Sequence, residues 1–306
     1  LRANKITRNS KGEGKMKMQE LNFGIEIETV KITRQKAAEA IQSVVGGSVR
    51  HVGSPMCYDP WTVTDLRGRT WKVVSDASLT NVPGNLRAEV VSPVLKYDDI
   101  PQLQEVIRKL RAAGAKPTKQ GGIHVHVDAA PFTAQKMSNL AKMVYKQEEL
   151  LIHALGINSN RLNRYTRPTS ENFIHELERR KPKTREELNR IWYGYYNSNP
   201  QHYDNTRYRI LNLHSAFSGQ TIEMRAFEST LHSGKIKGYV QLVLGLAVRA
   251  LNAKSTSAKK REFNPRSAKY DFRVFLISSL KMNGPEFKTA RYHLLKNMPG
   301  SAAWKN

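Results

Sequence analysis

Residues Gly121–Asp128 read GGIHVHVD. Two glycines lead into His124, His126 and Asp128, which are separated by single β-branched residues. As a strand, this stretch puts the three polar side chains on one face and Ile123, Val125 and Val127 on the other, because strand side chains alternate with period two. Imidazoles beside a carboxylate on one sheet face point to a metal site or a phosphate-handling site. An ordinary half-buried strand with histidines on its wet face carries the same pattern. What adds weight is recurrence.

The pattern returns along the chain. In LNFGIEIETV (21–30), Glu26 and Glu28 share one face, and Phe23, Ile25 and Ile27 share the other. The strand Thr70–Val74 runs into Asp76 and Ser78, Leu86–Val91 carries Glu89 alone, and Thr221–Phe227 carries Glu223 with Arg225. Carboxylates among Ile, Val and Met are costly unless paired or metal-bound. The chain has 50 Lys and Arg against 26 Asp and Glu, so acids gathered at these positions run against its overall balance. Hard oxygen ligands with an imidazole suit Mg²⁺ or Mn²⁺. Zinc is disfavoured, since neither HExxH nor a Cys cluster occurs.

Helical patterns lie between these strands. Thr33 caps a helix with a stripe at Ala37, Ala38, Ile41, Val44 and Val45, stopped by Gly46-Gly47. Ile100–Ala113 is amphipathic, Thr133–Leu155 reads as one long helix, and Thr184 with Glu187 forms a capping box. Arg209–Phe217 reads as a strand turning at Ser218-Gly219-Gln220 into Thr221–Phe227. Ser233–Leu251, Tyr270–Met282 and Pro285–Asn297 form a helical C-terminal part. Alternating strands interrupted by helices predict an α+β fold with a mainly antiparallel sheet, helices on one face and the other face open.

At 306 residues the chain can bury a proper core. Residues 1–19 are polar and basic without a period and read as a flexible tail; they lack the apolar run of a secretory signal. No run of 18 apolar residues occurs, so no membrane span is expected. The one cysteine, Cys57, fits a reducing, cytoplasmic compartment and reads as a small packed residue. The net charge of +24 draws polyanions such as nucleotides, nucleic acid or acidic polymers. Residues 158–207 mix arginines with tyrosines and read as a helical cover, or as a lid over an acidic ligand.

The motifs GIEIE, WKVVSDASL, EVVSP, GGIHVHVD, YRILNLH and TIEMRAFESTL occur in the order seen in the amidoligases. From about Leu21 to Leu231 the chain resembles this family of carboxylate–amine ligases, which belongs to the glutamine synthetase and glutamate–cysteine ligase superfamily. The resemblance implies a curved antiparallel sheet of the glutamine synthetase catalytic type, with residues 20–306 as a single catalytic domain. It also implies that Glu26, Glu28, Glu89, His124 and Glu223 hold Mg²⁺ against the ATP phosphates. His126 then meets the γ-phosphate, and Arg225 clamps that phosphate or the acyl-phosphate. Arg209 and Asn212 face nucleotide or substrate, and Asp76, from its place in the DxS motif, helps deprotonate the amine. Its plainer reading is a turn-capping aspartate.

The implied reaction joins an amine to a carboxylate on a peptide, a protein, a cell-wall peptide or a small molecule. Two other readings stand beside it. One is a basic nucleic-acid- or polyanion-binding protein on a degenerate ligase fold. The other is a guanidine-type phosphotransferase, against which the HVH and ExR pair argues. Relatives of this kind often sit in phage or mobile elements, which is an implication of the resemblance alone.

Overall fold

The computed structural model describes residues 14–54, 58–201 and 203–305. Cys57 and most of the expected tail lie outside the described residues. The last tail residues, however, are fastened down. Met18 is buried against Gly245, and Asn252 exchanges hydrogen bonds with the Met16 backbone at 2.8 and 2.9 Å.

Among the described residues, eight strands form one open antiparallel sheet. They are Phe23–Val30 (β1), Ser48–His51 (β2), Trp61–Thr64 (β3), Thr70–Val74 (β4), Arg87–Val91 (β5), Gly122–Asp128 (β6), Leu211–Asn212 (β7) and Thr221–Glu228 (β8). Their order across the sheet is β2-β3-β4-β5-β1-β6-β8-β7, which places the three motif strands β1, β6 and β8 side by side. The helices are Arg34–Val45 (α1), Ile100–Ala112 (α2), Ala134–Lys146 (α3), Glu148–Leu155 (α4), Ser159–Arg164 (α5), Glu171–Arg180 (α6), Arg185–Tyr193 (α7), His214–Ser218 (α8), Ser233–Asn252 (α9), Ala268–Val274 (α10) and Lys288–Leu295 (α11). None of the described helices is long and apolar enough to cross a membrane.

The alternation reads out as expected. Ile25, Ile27, Ile123, Val125 and Val127 are buried on the helix side, where α1 lies under β3–β5 and α9 under β6. Trp71, Phe23 and Phe227 are the largest fully buried strand side chains, and burying each contributes about 2–3 kcal/mol. Helix α9 packs against α2, α3 and α11 as well as the sheet. It comes so close to α11 that a Cβ on Gly238 would sit 3.3 Å from the Ala290 backbone. Thr33 caps α1 by accepting from the Lys36 amide at 3.2 Å, as its position predicts.

Four expectations need correction. Thr133–Leu155 is two helices, because Gln147 leaves helical geometry (φ −102°, ψ 8°). The break lets the fully buried Glu148 accept the Thr169 amide at 2.7 Å. The strand expected over 209–217 is only Leu211–Asn212, after which Leu213 turns helical and α8 begins. Tyr270–Met282 is α10 followed by a π-helical turn, Phe275–Ser279. Finally, Asp76 and Ser78 do not share a strand face, because β4 ends at Val74 and they lie in the loop after it.

Candidate active site

Register builds the site. Across the β1–β6 pair Glu26 faces His124, across β1–β5 Glu28 faces Glu89, and across β6–β8 His126 faces Glu223. Residues directly opposite in a ladder have neighbouring side chains on one face. The five expected metal-holding residues and the two expected phosphate-handling residues, His126 and Arg225, therefore converge on the open face.

The contacts are close. His124 Nδ1 lies 2.9 Å from Glu26 Oε2, and its Nε2 lies 3.7 Å from Glu28 Oε1. Glu28 Oε2 accepts the Gly122 amide at 2.6 Å. Arg225 Nη1 donates to Glu223 Oε1 at 2.5 Å, and Asn212 Nδ2 donates to Glu223 Oε2 at 2.6 Å. His126 Nδ1 is 3.1 Å from Thr221 Oγ1. Its buried Nε2 lies 3.2 Å from Glu26 Oε1 without hydrogen-bond alignment.

These charges divide into two groups. Burial alone would raise the Glu223 carboxyl, but Arg225, His126 and His124 outweigh it and hold the group at about 2. Burial likewise opposes ionisation of Glu26, and the two histidines overcome it, leaving its pKa well below the ordinary value. Glu89 goes the other way: burial, then the charges of Glu26, Glu28 and Asp76, push its carboxyl well above the usual range. Burial, with Asp76, also raises Glu28. The acids opposite the histidines and Arg225 are thus held ionised, whereas Glu89, among other carboxylates, is pushed toward its protonated form, and a cation bound there would reverse that push.

The donors fit a divalent ion. Glu26, His126 and Glu223 each bring a ligand atom within 4.8 Å of the others, and so do Glu26, Glu89 and His124. The buried Nε2 of His126 makes no aligned hydrogen bond, which leaves it available to an incoming group. Carboxylate oxygens with imidazole suit Mg²⁺ or Mn²⁺.

Two chambers meet at this cluster. The larger, about 720 Å³, has Glu26, Glu28, Glu89 and His124 at its floor and Lys72, Arg161, Arg207 and Arg225 among its walls. Tyrosines 58, 165, 203 and 208 also line it, and the Tyr58 and Tyr203 hydroxyls lie 2.6 Å apart, joining loops 145 positions apart in sequence. The smaller, about 410 Å³, runs past Phe23–Glu26, Pro93, His126, Asp128 and Thr221 and has no lysine or arginine in its lining. Glu26 belongs to both.

Three expected ligand-facing residues sit differently. Arg209 is absent from both chamber linings; its guanidinium donates to the Pro168 carbonyl at 2.7 Å, and its backbone bridges to Arg167. Asn212 is fully buried and serves Glu223 from behind rather than facing a ligand. Asp76 does line the larger chamber, yet both of its oxygens accept from Ser78 at 2.8 Å, so it caps its own turn as well.

The sequence reading missed Arg161, Tyr165, Arg207 and Tyr208. Arg161, Tyr165 and Arg207 belong to the segment at 158–207 that carries no placed motif, where only the alternation of arginine with tyrosine hinted at a ligand wall, and Tyr208 opens the YRILNLH motif. Arg225 lies 5.8 Å from the Tyr208 ring centroid, so the residue just after this segment reaches β8.

Residues 19–247 match the family described as "Putative amidoligase enzyme". No curated protein matches the chain. Among solved structures, the chain is similar to a bifunctional glutathione synthetase from Pasteurella multocida, at 10% identity with a TM-score of 0.43, over 92% of this chain and 47% of that one. The chain therefore spans about half the length of that protein.

Proposed function

Because the chain belongs to the amidoligase family, we propose that it is an ATP- and magnesium-dependent ligase that forms an amide from a carboxylate and an amine. The sheet, on this reading, is of the glutamine synthetase catalytic type. The observation that carries the proposal is the register: Glu26 opposite His124, Glu28 opposite Glu89 and His126 opposite Glu223, all on one face where two chambers meet.

A carboxylate does not react with an amine near neutral pH, since oxide is too poor a leaving group. An oxygen of the acid attacks the γ-phosphorus of ATP, ADP departs, and an acyl-phosphate remains. The amine then adds to the acyl carbon, loses a proton, and expels phosphate. Phosphoryl transfer needs positioning and neutralised charge more than covalent help. Bound Mg²⁺, held by Glu26, Glu28, Glu89, His124 and Glu223, would supply that neutralisation.

The chain's own groups do the rest. Arg225, fixed by Glu223, keeps a guanidinium beside the metal-holding acids, where it stabilises the transferring phosphoryl group. Arginines in that role are worth about 10³-fold or more in rate. His126, whose pKa the Glu26 and Glu223 charges raise against the effect of burial, donates a hydrogen bond from the smaller chamber, and we place the nucleotide there. The acid and its amine then occupy the larger chamber. Asp76, on that chamber's wall, is placed to accept the amine's proton.

Calorimetry of ATP binding with Mg²⁺ and with chelator, at moderate salt, tests the reading. Glu28→Gln and Glu223→Gln are the comparison proteins, because a chain of charge +24 holds some ATP without any site. Saturable, Mg²⁺-dependent binding that both variants lose is the expected result. Equal, salt-sensitive binding in all three would leave only a polyanion binder.

A further inference from the structure

Arg161 is a buried cation with no carboxylate in ion-pair contact: burial lowers its pKa and outweighs Glu28 and Glu228, which act on it only across a gap. It is 2% exposed, and its guanidinium meets only backbone carbonyls: Nη2 to Arg225 at 3.2 Å and Nη1 to Gln120 at a long 3.5 Å. Its Nε has no partner, and it forms no ion pair with a described carboxylate. Arg225, its neighbour in the chamber wall, is by contrast already tied to Glu223.

Backbone packing fixes where this guanidinium sits. Arg161 lies in the first turn of α5, whose cap is Asn158, and Asn158 is held to Glu228 at the end of β8 by two hydrogen bonds of 2.8 and 3.0 Å. The guanidinium lies flat over Gly122, where an added Cβ would come within 2.5–2.9 Å of its atoms. Gly122 in turn donates to Glu28. The side chain is thus anchored in the wall of the larger chamber, next to the expected metal-holding acids, with hydrogen-bonding capacity unused. A buried guanidinium left in this state is costly, and the fold retains it with Glu28 and Glu228 nearby but no carboxylate hydrogen-bonded to it. The planar fork of arginine matches a carboxylate's two oxygens.

We propose that Arg161 receives the ionised carboxylate of the acid substrate, making the larger chamber the acid's chamber. This rests on the ligase reading and adds to it a binding residue from the segment that carries no family motif. Arg161 holds the acid in its charged form beside Arg225, so that an oxygen of it faces the phosphoryl donor.

The test uses the full chain with glutarate as the probe acid, glutaramide as its uncharged counterpart, and Mg-ATP. Calorimetry and thermal melting are run on wild type, Arg161→Met and Arg161→Lys. Wild type should bind glutarate over glutaramide. Arg161→Met should melt no lower than wild type, lose glutarate affinity by about ten- to a hundredfold, and bind Mg-ATP within about twofold of wild type. If the methionine variant does not fold, the lysine variant carries the test: the charge stays, the fork goes, and glutarate binding should still weaken. A lower melting point with glutarate binding intact would make Arg161 a structural residue and overturn the proposal. Loss of Mg-ATP affinity with glutarate unaffected would overturn it too, as would a wild type that cannot tell glutarate from glutaramide. Glutarate binding through Arg161 without any Mg-ATP binding would instead keep the inference and sink the ligase reading.

Discussion

Asn212 has no chamber to face, and its value lies in what it does to Glu223. Its amide fixes one carboxylate oxygen while Arg225 fixes the other. Groups that orient metal-holding side chains typically account for 10–100-fold in metal affinity. Asn212→Ala should therefore raise the Mg²⁺ concentration needed for ATP binding by about tenfold, read from a Mg²⁺ titration at fixed ATP. Glu26, Glu28, His124, Glu223 and Arg225 were legible in the sequence because period-two spacing exposes a shared face. The roles of Arg209 and Asn212 came from the resemblance alone, because β7 is only two residues long and offers no alternation to say which way its residues point. A residue far from the site gives a pH prediction. Burial, then His232, Lys296 and Lys235, lower His293 from 6.5 to about 4. The folded state thus disfavours its protonated form: the stability it contributes is complete above pH 6.5 and fades as pH falls towards 4. Melting curves across that window should fall less steeply for His293→Asn than for wild type.

Strand β8 turns on a bulge. Its pairing with β6 shifts between Ile123 and Val125, so that Arg225 and Ala226 together oppose His124. In a regular strand Glu223, Arg225 and Phe227 would share one face. The extra residue keeps Glu223 and Arg225 on the site and sends Phe227 to the helices, where it stacks on Tyr239 with ring centroids 4.4 Å apart. Alternation could not show this, since a bulge is invisible until the partner strand is known. Nor could it show the break at Gln147, where a continuous apolar stripe hides the change of helix. Gly122 marks another tight spot, because a side chain there meets the Arg161 guanidinium. Gly122→Ala should lower stability by about 1–3 kcal/mol, read from the denaturant midpoint, as overpacking of a filled interior does.

Across the whole molecule, the family match stops at residue 247, inside α9. The packing continues past it. Ala290 of α11 covers Gly238, and Leu280 covers Gly245, so the last fifty residues close the outer side of the helix that supports β6. A chain ending at residue 255 would expose that side, and it should fail to reach a cooperative melting transition, as circular dichroism on heating would show. The class of fold and the site's acids were legible because both follow from local period. The chambers were not, since they arise where segments far apart in sequence meet, as Tyr58 and Tyr203 do. The two chambers touch at Glu26 without merging. If nucleotide and acid each take one chamber, as proposed, neither need displace the other: they would not compete, and initial-rate lines for the two would intersect rather than run parallel.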